Sequence, residues 1–214
     1  MNRMKSVHLL TLIVLLAAAS PSAQPAGPAI TDSESYAVYA AVLRVSSHTA
    51  AERSGPIAIQ IETLPGLPGC PREEAITDEW RAAVDDYRRQ NATTKFVRPG
   101  FDLGIPYSLV PLFEVVQGLK DDGWLATDGN RSPGAPQTNA PGWKVFARFP
   151  GNHVIVLSAI GFNADRTRAM VAVQQDCIVE ANGRAFCHEA HVTGMTKKNG
   201  RWDGSGGIGC HMIV

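Results

Sequence analysis

The stretch Cys177-Ile-Val-Glu-Ala-Asn-Gly-Arg-Ala-Phe-Cys187 constrains this chain more than any other. Two β-rich arms flank Ala181-Asn-Gly183, the residue types that close hairpins. With Ala181 and Asn182 in a type I turn and Gly183 left-handed, the loop has three residues and Glu180 faces Arg184. Cys177 then falls opposite Cys187 at a position without backbone hydrogen bonds, where side chains approach most closely. A disulfide suits that geometry. A two-residue Asn-Gly loop would shift the register by one. Four cysteines allow three pairings; if Cys177 takes Cys187, Cys70 is left to Cys210, tying a Pro-rich loop to the C-terminal segment.

Disulfides need an oxidising compartment, and the N-terminus supplies a route to one. Arg3 and Lys5 form a basic start, Val7 to Ala19 an apolar stretch, and Ser20 to Gln24 a small-residue exit. This is the layout of a secretory signal peptide over residues 1–23, too short for a permanent anchor. The expected product is periplasmic or extracellular, with no integral membrane span. Losing Arg3 and Lys5 leaves 18 basic residues against 20 acidic ones. Without a clustered basic face, nucleic acid and anionic membranes are excluded as expected partners.

After a flexible segment at 24–30, residues 31–214 read as one α+β domain with a mobile Pro/Gly-rich loop at about 127–142. Thr31-Asp-Ser-Glu34 has the spacing of a capping box, Thr31 capping and Glu34 reaching back, before a helix from Asp32 to Val45. Pro56 to Glu62 alternates as a strand, and Leu64 to Pro71 is a loop. A second helix starts at Thr77 and carries Trp80, Ala83, Val84 and Tyr87 on one stripe, with Asp78 and Glu79 at its positive end and Arg88 and Arg89 at its negative end. Phe101 to Leu109 reads as extended, Leu112 to Leu119 and Trp143 to Phe149 as short helices.

From His153 the texture becomes β. His153 to Phe162 is apolar on both parities until Ser158, so it is expected to be central and covered on both faces. Asn163 to Thr167 turns, Ala169 to Val179 returns, and Ala185 to Thr196 forms the next strand. Lys197-Lys-Asn-Gly200 turns into Arg201-Trp202. Gly204 to Gly209 reads as a flexible turn before a last short strand at Cys210 to Val214. The expected fold is an antiparallel β-meander in the C-terminal half packed against helices from the N-terminal half.

The hairpin register also sets Asp176 opposite His188. A carboxylate beside an imidazole is a unit of general acid–base chemistry, which makes these two the candidate catalytic residues. Ser158 lies roughly 10 to 13 Å along the strand from Asp176, too far to be activated as a nucleophile; Ser205 and Asp203 are alternative partners. Cys187-His-Glu-Ala-His191, with His211, offers His188, His191 and His211 as candidate metal ligands. Yet His188 and His191 are three apart on a strand and point to opposite faces, unlike a zincin helix, so no metal and no cofactor is expected. The glycine-rich run lacks the Lys-Ser/Thr of a phosphate loop. Asn91-Ala-Thr93 and Asn130-Arg-Ser132 match the glycosylation pattern.

Leu157-Ser-Ala-Ile-Gly-Phe-Asn163, Ala169-Met-Val-Ala-Val173, the two cysteines and Lys197-Lys-Asn-Gly-Arg-Trp202 together form a pattern. It resembles a group of uncharacterised exported bacterial proteins with a C-terminal L-S-x-x-G-F-N, paired cysteines and K-x-G-x-W. Members of that group carry an arginine after the serine, where Ala159 stands here, and a shorter cysteine spacing. The resemblance implies export and fold, and transfers no activity. The leading expectation is a non-catalytic exported domain acting by binding or in the envelope. The alternatives are an extracytoplasmic hydrolase using Asp176 and His188, and a cone-like domain whose ligand pocket is lined by Tyr36, Trp80, Tyr87 and Phe162.

Overall fold

The computed structural model describes residues 27–46, 56–66, 70–121, 148–177 and 189–213. Their elements run, in chain order, α1 (Ser33–Ser46), β1 (Ile57–Gln60), α2 (Asp78–Gln90), β2 (Tyr107–Val110), α3 (Leu112–Asp121), β3 (His153–Leu157), β4 (Gly161–Phe162), β5 (Arg168–Cys177), β6 (Glu189–Lys198) and β7 (Arg201–Ile213). One sheet has the order β2-β1-β3-β5-β6-β7, with β4 also paired to β5. The C-terminal strands are antiparallel, while β1 runs parallel to both β2 and β3. The fold is α+β, with the expected meander and two parallel N-terminal strands added to its edge.

Strand alternation sorts the core. Ile57, Ile59, Ile155, Leu157, Val171 and Val173 join the cluster under α1, with Val38, Tyr39 and Val42. Met170, Ala172 and Val192 meet Trp80, Ala83, Val84 and Tyr87 of α2, and Ala58 and Val154 meet Val115 of α3. Helices therefore cover both faces. Every residue of β3 is buried, as a strand apolar on both parities requires. Cys70 and Cys210 are joined by a disulfide, their Cα atoms 6.0 Å apart, and both sit in the α2 cluster.

The β5–β6 ladder pairs Val171 with Thr193, Val173 with His191 and Gln175 with Glu189. That is the register a three-residue loop sets, and the one-residue shift is not adopted. The turn itself, Cys187 and His188 lie outside the described residues, as do the expected signal peptide, the expected loop at 127–142, Asn130 and most of Trp143–Phe149. Phe149 is extended rather than helical.

Local chemistry corrects several expectations. The N-terminal cap of α1 is Asp32, not Thr31: its carboxylate accepts from the Glu34 amide (3.3 Å) and the Ser35 hydroxyl (3.0 Å). Glu34 does not reach back; it accepts from Lys197 Nζ (2.7 Å) and Trp202 Nε1 (2.5 Å), which binds α1 to the last hairpin. That hairpin closes through Asn199 and Gly200, both with positive φ, as a two-residue turn whose twist suits the strands. Of the expected extended segment Phe101–Leu109 only the end, from Tyr107, is a strand, which runs on to Val110. Gly204–Gly209 is the irregular middle of β7 instead of a turn between strands. The ladder leaves register there, between the pairs Met195–Gly204 and Thr193–Gly209.

The strand expected over His153–Phe162 is interrupted. Leu157 pairs with Val173 and Gly161 with Met170, so four steps on one strand match three on the other. The extra residue is a β-bulge at Ser158–Ile160. Ser158 holds it, donating its amide to Ala172 O (2.9 Å) and accepting the Ala172 amide on Oγ (2.7 Å).

Candidate functional site

The bulge frees backbone groups that a continuous strand would have paired, and α2 satisfies them. Asn91 accepts the Ala159 amide on Oδ1 and donates Nδ2 to the Ala159 carbonyl, each at 2.8 Å. Asp86 accepts the Phe162 amide at 2.8 Å. This close docking requires Gly161, because a Cβ there would overlap the Tyr87 backbone. Asn163 then shapes the turn, its Oδ1 accepting from the Thr167 (2.9 Å) and Arg168 (2.8 Å) amides. The run Leu157–Asn163 is thus scaffold.

What the scaffold leaves beside it is a groove of about 360 Å³. The start of α1 contributes Asp32 and Ser35, and the end of α2 contributes Asp86, Arg89 and Gln90. Lys95, the bulge residues Ala159 and Ile160, Phe162 of β4, and Asn163 and Arg166 of the turn complete most of the wall. Arg166 is held at φ 55°, a costly conformation for a side chain of its size. There its guanidinium reaches Asp32 (2.9 Å) and lies 4.6 Å over the Phe162 ring.

Burial pushes the Asp32 carboxyl up, but bonds from Arg166, Ser35 and the Glu34 amide outweigh it and hold the group below its ordinary value. The same bond to Asp32 raises Arg166. Asp86 accepts from Arg89 and from Gln90 (3.1 Å), and Lys95 Nζ bonds to the amide oxygen of Gln90. Three cations and two carboxylates face the groove, so its wall has one positive charge in excess. These side chains supply charge and hydrogen bonds. No histidine or cysteine lines the groove.

The residues singled out from sequence lie elsewhere. Asp176 stands in β5 opposite Val154, and its expected partner His188 is outside the described residues. His191 is flanked by Val173 and His211 in the sheet, so the register brings two of the three candidate histidines side by side. Asp203 is opposite Thr196, and Ser205 lies in the irregular part of β7. Ser158 has no solvent exposure and is fully engaged in the bulge. Asn91 is buried with its amide bonded, which bars a glycan from the folded protein.

The four aromatics do not line one pocket. Tyr36 and Phe162 belong to the α1 face, Trp80 and Tyr87 to the α2 face, and they fill two separate cores. Phe162 alone of the four reaches the groove. Asp32, Asp86, Lys95 and Arg166 carry no motif that marks them together, because they come from four separated segments. Compared with family models, curated proteins and solved structures, the chain matches none of them.

Proposed function

We propose that this chain is an exported, disulfide-bonded domain that binds a small polar molecule in the groove between α1 and α2. The leader at residues 1–23 supports export, and so does the Cys70–Cys210 disulfide, since such bonds persist in oxidising compartments. The resemblance of the Trp143–Trp202 region to exported bacterial proteins points the same way. Among the described residues no helix is long and apolar enough to cross a membrane.

The binding half rests on one observation: a groove of about 360 Å³ walled by charged and amide side chains from separate segments. Its size is at the lower end of small-molecule sites. The reading is tested by adding pools of small polar solutes to the isotope-labelled mature protein and following backbone amide resonances. Shifts confined to Asp86–Gln90 and Asn163–Thr167 are expected. Shifts elsewhere only, or none, would refute it. Export is tested separately: a product recovered outside the cytoplasm and beginning near residue 24 is expected, and a leader retained in the cytoplasm would refute it.

A further inference from the structure

The charge pattern of the groove narrows what can occupy it. Arg166 and Arg89 are each matched by a carboxylate, Asp32 and Asp86, whereas the bonded partner of Lys95 in the groove is the neutral amide of Gln90. The unmatched charge is therefore that of Lys95. Both arginines meet their carboxylates through one terminal nitrogen, and a guanidinium has five N–H donors in a planar fork. The site thus offers one excess positive charge with further donors around it. Asp32 and Asp86 also act against a ligand with two negative charges, through repulsion across a short groove. Their oxygens favour hydroxyl or ammonium donors instead.

Resting on the binding role proposed for this groove, we infer that its ligand is a small singly charged carboxylate that also carries hydroxyl or ammonium groups. The carboxylate lies towards Lys95 and the arginine forks, and the donor groups lie towards Asp32 and Asp86. A neutral sugar leaves the Lys95 charge unmatched, and a dicarboxylate brings its second charge against the aspartates. The volume of about 360 Å³ admits a molecule of sugar-acid size.

Three probes of one carbon skeleton separate these cases: glucose, gluconate and glucarate, with zero, one and two carboxylates. Binding to the mature protein is measured by calorimetry and by amide shifts at Asn163–Thr167. Gluconate is expected to bind most tightly. Lys95→Gln should weaken gluconate about tenfold, the effect of losing one charge-assisted bond, and leave glucose unchanged. Lys95→Arg should restore most of the difference, and an unchanged melting temperature shows that each variant folds. Equal affinity for glucose and gluconate, tightest binding of glucarate, or indifference to Lys95→Gln would overturn the ligand class while the groove remains a binding site. No shift at the groove amides with any of the three probes at millimolar concentration would overturn the ligand class, and the same silence from the wider solute pools would overturn the binding role itself.

Discussion

Asn91 grips the Ala159 peptide from both sides, accepting its amide and donating to its carbonyl at 2.8 Å each. It does for the bulged strand what a neighbouring strand would otherwise do, and it fastens the end of α2 to the sheet. Asn91→Ala leaves the buried Ala159 amide without its partner, while the Ala159 carbonyl keeps the bond from the Ser158 hydroxyl (2.9 Å). For one unsatisfied buried group the loss should be about 1–3 kcal/mol. Urea unfolding of the variant should show a lower midpoint at an unchanged slope. Asn91→Asp retains the acceptor and should cost less than Asn91→Ala.

The disulfide between Cys70 and Cys210 closes a sequence separation of 140 residues against the α2 core. Removing both sulfurs as Cys70→Ala/Cys210→Ala should destabilise the protein by about 2–5 kcal/mol, most of it through a freer unfolded chain. Non-reducing peptide mapping should give one linked peptide containing Cys70 and Cys210. The observed register, extended two residues past Gln175–Glu189, predicts a second containing Cys177 and Cys187. A peptide linking Cys177 to Cys70 or Cys210 would refute that extension.

These two cases show what was readable in advance. The β5–β6 register was legible because Ala181-Asn-Gly183 limits the turn to few geometries, and the alternating strands then carry that choice along the ladder. The apolar stripe of α2 was legible for the same local reason. The bulge at Ser158 was not, since Ser158-Ala-Ile-Gly161 is compatible with an unbroken buried strand; what breaks it is Asn91 and Asp86 arriving from α2. The groove was hidden more deeply. Asp32 looked like one residue of a capping box and Arg166 like part of a polar turn, and only tertiary packing brings them to 2.9 Å.

Acid should weaken the Asp32–Arg166 link. The folded-state pKa of Asp32 is depressed, so its contribution is complete above the unfolded value near 3.8 and is lost as pH falls through the folded value. Asp32→Asn keeps a capping side chain but removes the charge. It should cost at most about 1 kcal/mol at neutral pH, because the pair is partly exposed and screened. The difference between wild type and variant should shrink as pH falls below the unfolded value and vanish once the depressed folded-state group is protonated. A constant difference across that range, read from urea midpoints at each pH, would show that the charge contributes nothing.

Glu34 joins α1 to the last hairpin through Lys197 and Trp202. Glu34→Ala strands the indole N–H of a buried tryptophan and removes the partner of Lys197, so a loss of about 1–3 kcal/mol is expected. Glu34→Gln keeps an acceptor for Trp202 and should lose less than half as much. Equal losses in the two variants, measured by urea unfolding, would mean that the Lys197 ion pair dominates.

Gly161 and Gly200 make opposite demands on a methyl group, and comparing them tests how closely α2 sits on the sheet. At Gly161 a Cβ would enter the Tyr87 backbone, which belongs to a helix and cannot turn aside as a side chain could. Gly161→Ala must lift α2 from β4, straining the bonds from Asp86 to Phe162 and from Asn91 to Ala159. A cost of about 3 kcal/mol or more follows, at the upper end for overpacking. At Gly200 the space is open and the obstacle is only a φ of +77°, so Gly200→Ala should cost about 1 kcal/mol. Similar melting temperatures for the two variants would show that α2 yields easily, and that the polar contacts around the bulge do not hold it in place.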